Sequence, residues 1–161
     1  MKILNIKTED FINYKKPSMF IGMGSCDFKC CKESGIPPES CHNYILDDYI
    51  ELDPKTIVGN YLSNSISEAI VIGGLEPFND FDNLLELVKE FRQNTDDDIV
   101  IYSGYYPDEI SEYIYKLNNF KNIIVKFGRF IPNKSSYLNK LLGVELVSDN
   151  QFAKKLPILF Y

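Results

Sequence analysis

The sequence predicts an α/β fold built on a parallel sheet. Two observations carry that reading: short apolar runs alternate with segments whose apolar residues recur at helical spacing, and each run is followed by a loop rich in Gly, Pro or polar residues. With 161 residues, 45% of them hydrophobic and 25% charged, the chain can bury a core as one domain over 1–161 without disulfide support.

The elements follow in order. Ser18 to Gly22 reads as a buried strand, and Pro54 to Ser63 as a helix with Asp53 as N-cap and Pro54 at its first position. Ala69 to Ile72 is a second buried strand. In Asp80 to Gln93 the residues Leu84, Leu87, Val88 and Phe91 fall at i, i+3, i+4 and i+7, so they share one helix face while Glu86, Lys89 and Glu90 point away. Asp98 to Tyr102 is the third strand. Pro107 opens a helix in which Ile110, Tyr113, Ile114 and Leu117 repeat the spacing, and Asn122 to Phe127 is the fourth strand.

Strands joined by single helices run parallel, because the crossover returns the chain to the same edge, so the sheet is expected to be parallel and covered by helices. In such sheets and barrels function collects at the carboxyl ends of the strands. Four unusual loops sit there: the stretch from Gly24 to Asn43, Gly73-Gly-Leu-Glu-Pro77, Ser103-Gly-Tyr105 and Gly128-Arg-Phe-Ile-Pro132. Four loops on one rim make one site. Asp149-Asn150-Gln151 reads as a polar turn.

Composition narrows the function. A formal net charge of -6, with no Lys/Arg cluster among aromatics, argues against a nucleic-acid partner. No apolar run has the length of a membrane span, and Met1 to Thr8 does not resemble a secretory signal, so a soluble protein in a reducing, cytoplasmic setting is expected.

The cysteine loop holds the chemistry. Cys26, Cys30 and Cys41 lie in Gly24-Ser-Cys-Asp-Phe-Lys-Cys-Cys-Lys-Glu-Ser-Gly-Ile-Pro-Pro-Glu-Ser-Cys-His-Asn43. Three thiolates on a cubane iron-sulfur cluster leave one iron open to an external ligand. Cys31 adjoins Cys30 and reads as a spare thiol, since neighbouring side chains point apart. Two disulfides do not suit a reducing compartment. A structural zinc site of Cys26, Cys30, Cys41 and His42 competes with the cluster, although the adjacency of Cys41 and His42 makes joint tetrahedral ligation awkward. The other loops suit a zwitterionic ligand on an open iron: Gly73 and Gly74 admit close backbone approach, Glu76 and nearby carbonyls can accept from an ammonium group, and Lys126 at a strand end can pair with a carboxylate. Taken singly, the Gly-Gly and Ser-Gly turns are equally ordinary βα turns.

The order of the three-cysteine loop, Gly73-Gly74-Leu75-Glu76-Pro77, Ile101-Tyr102-Ser103-Gly104-Tyr105, Phe127-Gly128-Arg129-Phe130 and Ser148-Asp149-Asn150-Gln151 resembles the radical S-adenosylmethionine proteins. Within them it is most similar to the activating component of the anaerobic (class III) ribonucleotide reductase, over about residues 18 to 151. The resemblance implies a partial, incomplete TIM-like βα barrel. It implies that Cys26, Cys30 and Cys41 hold a [4Fe-4S] cluster whose open iron chelates S-adenosyl-L-methionine. Gly73, Gly74 and Glu76 would line the methionine amino group through their backbone, and Ser103 and Lys126 would face the carboxylate or ribose. Asn43 matches the Cys-x-Asn that closes the family's cluster loop, and Asn150 and Gln151 match a Ser-Asn-Gln element, here carrying an extra aspartate.

The activity implied is reductive cleavage of S-adenosyl-L-methionine to a 5'-deoxyadenosyl radical that generates a glycyl radical. The implied partners are a large glycyl-radical reductase subunit and a flavodoxin- or ferredoxin-type electron donor. One departure stands out: the family spacing is Cys-x3-Cys-x2-Cys, whereas ten residues separate Cys30 from Cys41 here. The Gly35-Ile-Pro-Pro38 excursion can loop out and return. No cysteine-rich extension suggests an auxiliary cluster. A small-molecule enzyme resembling the deazaguanine-forming synthases, and a non-catalytic zinc or redox module, are the alternative expectations.

Overall fold

A computed structural model describes residues 1–41, 43–44 and 49–160 of the chain. His42, the histidine of the zinc alternative, lies outside them.

The predicted strands form the centre of one sheet. They are β2 (Ser18–Met23), β4 (Ala69–Gly74), β5 (Asp98–Tyr102) and β6 (Ile123–Phe127), all parallel, with Ile21 opposite Ile72, Ile72 opposite Ile101 and Ile101 opposite Val125. These strands are buried on both faces, which is why they read as continuous β-branched runs rather than as alternations.

The sheet is not wholly parallel, and here the expectation is corrected. β1 (Lys2–Asp10) pairs antiparallel with β2, β3 (Ile50–Glu51) antiparallel with β1, and β9 (Phe152–Lys155) antiparallel with β6, giving the order β3-β1-β2-β4-β5-β6-β9. These outer strands are largely exposed and rich in Lys and Glu, so their sequences carry no apolar run to betray them.

Helices α2 (Pro54–Leu62), α3 (Phe81–Asn94) and α4 (Ser111–Leu117) supply buried residues to one face of the sheet. Asp53 caps α2 as expected, its carboxylate accepting from the Thr56 N–H at 3.0 Å. α3 buries Leu84, Leu87, Val88 and Phe91, the residues the spacing selected. Pro107 opens a short 3-10 turn, Pro107–Ile110, ahead of α4. Among the described residues no helix covers the other face. It holds a smaller cluster of Tyr14, Ala69, Val71, Val100, Ile124, Leu142 and Leu146, closed over by the hairpin of β7 (Tyr137–Asn139) and β8 (Val144–Leu146). Beyond that cluster, toward the strand carboxyl ends, this face opens into a cavity of about 360 Å³.

Candidate metal centre and rim

The four rim loops meet, and the residues that join them are mostly those the sequence selected. Glu76 is the central brace. Its Oε1 accepts from Ser103 Oγ at 2.9 Å and from the Phe78 N–H at 3.2 Å, and its Oε2 accepts from the Gly104 N–H at 2.8 Å, so the loop after β4 is fastened to the loop after β5. The Glu76 N–H donates to Ser25 O at 2.8 Å, which ties both to the start of the cysteine loop. Asn43 closes the far end of that loop, its Nδ2 donating to Gly74 O at 2.7 Å. Lys126 reaches the fourth loop, with Nζ donating to Gly128 O at 2.8 Å and to Ser103 O at 3.4 Å. Glu76, Ser103 and Lys126 are all buried. Burial raises the Glu76 carboxyl to about 7, although three hydrogen bonds and the charge of Lys126 favour its ionised form.

Two of these loops depend on glycine. Gly74 has φ +86° at the closest approach of two strands, and a Cβ there would lie 2.8 Å from Gly22 Cα. Gly128 has φ +96°, and a Cβ there would lie 2.9 Å from Asn150 O, where the 149–151 turn passes over the end of β6. That turn is the polar turn the sequence suggested: Asn150 Nδ2 donates to Arg129 O at 2.7 Å and Gln151 Nε2 to Gly128 O at 3.3 Å.

The thiols sit around this frame. Cys26 and Cys30 line the same small hollow as Glu76, Gly104 and Arg129. Cys30 and Cys31 lie in α1 (Lys29–Ser34), with their Sγ atoms 3.9 Å apart. Cys41 follows a 3-10 turn at Pro38–Ser40. All four cysteines are free thiols. Cys26, Cys30 and Cys41 are partly exposed, whereas Cys31 is buried, which suits a packing role. Burial first, then the charges of Glu76, Cys30 and Asp27, push the Cys26 thiol up to about 12. Burial, then Cys30 and Cys41, push Cys31 up to about 11.

Among the described residues no three Cys, His, Asp or Glu side chains are already drawn together around a metal position. The donor chemistry nonetheless fits a cationic iron centre. A half-buried thiol raised first by burial and then by the charges of neighbouring carboxylates and thiols is the environment that a bound cation relieves, because ligation requires the thiolate.

Residues to which the sequence assigned no role of their own complete the rim. Arg129 is buried and spans three elements: its Nε donates to Glu33 in α1 at 2.5 Å, its NH1 to Glu109 Oε2 at 2.7 Å and to Gly104 O at 3.2 Å, and its guanidinium stacks over the Tyr106 ring at 4.8 Å. Lys29 pairs with the same Glu109. Burial alone would raise Glu109, but the hydrogen bonds from Arg129 and Lys29 prevail and hold its carboxyl down at about 2. Tyr105 adds a link from the third loop to the cysteine loop, its hydroxyl donating to Asp27 Oδ2 at 2.8 Å. Charge spacing in the sequence gives no sign of these contacts, since their partners lie 20 to 96 positions apart.

The 360 Å³ cavity lies beside this rim on the helix-free face. Gly73, Gly74, Asn43, Phe20 and Tyr102 line it, together with Asn5, Lys7, Ile12 and Asn13 from β1 and the turn after it. Gly73 keeps that wall low, as a Cβ there would lie 3.2 Å from the Phe20 ring.

Compared with models of protein families, residues 19–151 match the family described as a 4Fe-4S single cluster domain. The match takes in all four rim loops and the three cysteines assigned to the cluster, and it favours iron-sulfur over zinc. No curated protein and no solved structure gives a significant match.

Proposed function

Since the chain belongs to the 4Fe-4S single cluster domain family, we propose that Cys26, Cys30 and Cys41 hold its cluster and that the protein is a radical S-adenosylmethionine activase. In this reading the cluster and S-adenosyl-L-methionine together supply the one-electron cleavage that yields a 5'-deoxyadenosyl radical, and a glycine of a large anaerobic ribonucleotide reductase receives the radical. The sheet is then read as part of an incomplete βα barrel, with the helix-free face as its interior.

The observation that supports this most is the convergence of four loops from strand carboxyl ends around Cys26 and Cys30, beside a cavity large enough for a nucleoside. The chain's own residues have defined work there. Gly73 leaves room for a ligand against the Phe20 and Tyr102 side chains. Ser103 Oγ is committed to Glu76 and to the Tyr105 N–H, and its backbone to Lys126, so Ser103 fastens the loops around the site. Glu76 likewise holds the loops rather than presenting a free carboxylate.

The test is anaerobic. Reconstituted with iron and sulfide, then mixed with a strong reductant, S-adenosyl-L-methionine and a candidate class III reductase, the protein should yield methionine, 5'-deoxyadenosine and a glycyl doublet by electron paramagnetic resonance. Cys26→Ala should abolish all three. Cofactor cleavage with turnover of a small metabolite and no protein radical would move the assignment to an enzyme of the deazaguanine-synthase kind. A brown protein that leaves the cofactor intact would reduce it to an electron-transfer module.

A further inference from the structure

We propose that Lys126 sets the reduction potential of the cluster through its charge, without touching the cofactor. Lys126 belongs to β6, opposite Tyr102 in register, and is 7% exposed. Its Nζ donates to two neutral acceptors, Gly128 O and Ser103 O, and among the described residues no carboxylate lies within ion-pair distance. A protonated ammonium there, satisfied only by neutral carbonyls, acts on its surroundings through a poorly screening medium. Ser103, whose carbonyl it holds, donates through its hydroxyl to Glu76, and Glu76 shares one small hollow with Cys26 and Cys30.

Cys30 and Glu76 are the groups whose charges act on Lys126, offsetting the burial that lowers its pKa to about 8, so it is mainly protonated at neutral pH. A field that acts one way acts the other. When a one-electron donor reduces the cluster, the cluster gains one negative charge, and a fixed cation nearby stabilises the reduced form. Glu76, when ionised, opposes it. The two side chains therefore bracket the potential from opposite directions.

This inference rests on the cluster proposed above. A wild-type protein that takes up no iron would defeat that proposal, whereas a wild-type cluster whose potential ignores Lys126 would defeat only this one. The experiment is a redox titration of the reconstituted protein with dithionite, following the reduced cluster by electron paramagnetic resonance, with iron per chain measured alongside. Lys126→Gln keeps a donor for the carbonyls and removes the charge. Its reduction equilibrium should fall by on the order of tenfold, a midpoint about 59 mV more negative for a one-electron couple. Lys126→Arg should stay near wild type, and Glu76→Gln should move the midpoint the other way.

An unchanged midpoint in a fully loaded Lys126→Gln protein would overturn the assignment. If that variant does not load, Lys126→Met gives the same reading. Should both neutral variants fail to fold by circular dichroism, Lys126 is a structural residue and the proposal falls.

Discussion

Cys31 separates two ways of reading a cysteine-rich loop, since it has the same chemistry as its neighbours and a different exposure. It is 2% exposed and packed inside a short helix, whereas Cys26, Cys30 and Cys41 reach the surface of the rim. Replacing each in turn by Ala and measuring iron per chain should give near-complete loss at 26, 30 and 41, and retention at 31. Retention in Cys30→Ala with loss in Cys31→Ala would exchange the two roles. The sequence pointed to these thiols because chemistry is local: a residue type and a neighbour are enough. It pointed to Glu76 and Ser103 as ligand contacts, yet both side chains spend their bonds on each other, a fact that depends on two loops meeting 27 positions apart.

Glycines show the same limit at the scale of elements. The Gly73-Gly74 pair reads as one feature in sequence and divides into two in space. Gly74 is required by the backbone of β2, where any side chain must displace Gly22, while Gly73 faces a ring that can shift. Gly74→Ala should therefore lower the urea midpoint by the equivalent of more than about 1 kcal/mol, with Gly73→Ala costing less. Equal losses would mean that the strand contact is not what selects glycine at 74. The central strands and α2 to α4 were legible because burial on both faces, or on one helix face, leaves a period in the sequence. β1, β3 and β9 were not, because these outer strands of Lys and Glu bury too little to leave one. Neither was the β7–β8 hairpin, whose few buried side chains complete a cluster supplied mainly by other segments.

At the scale of the whole molecule, Arg129 joins the cysteine excursion, the loop after β5 and the turn before α4 into one assembly. Its strongest partner is Glu109, whose folded pKa of about 2 lies below its ordinary value of 4.5. A carboxyl lowered in this way binds fewer protons folded than unfolded, so its stabilisation is present above about pH 4.5 and is lost as pH falls toward 2. Urea midpoints measured across that window should drop in the wild type, and the drop should be shallower in Arg129→Met. Parallel acid limbs for the two proteins would remove this pair from the acid response.

Each rim loop is fastened chiefly to its neighbouring loop, sideways around the sheet end, through Asn43, Glu76, Lys126 and Arg129. The site is thus a property of the ring and not of any segment in it. Transplanting the cysteine stretch alone onto another α/β sheet would carry the thiols across and leave behind what spaces them. The converse also holds: the ten-residue excursion between Cys30 and Cys41 is moored to the ring near both ends, Glu33 by Arg129 and, just past Cys41, Asn43 by Gly74.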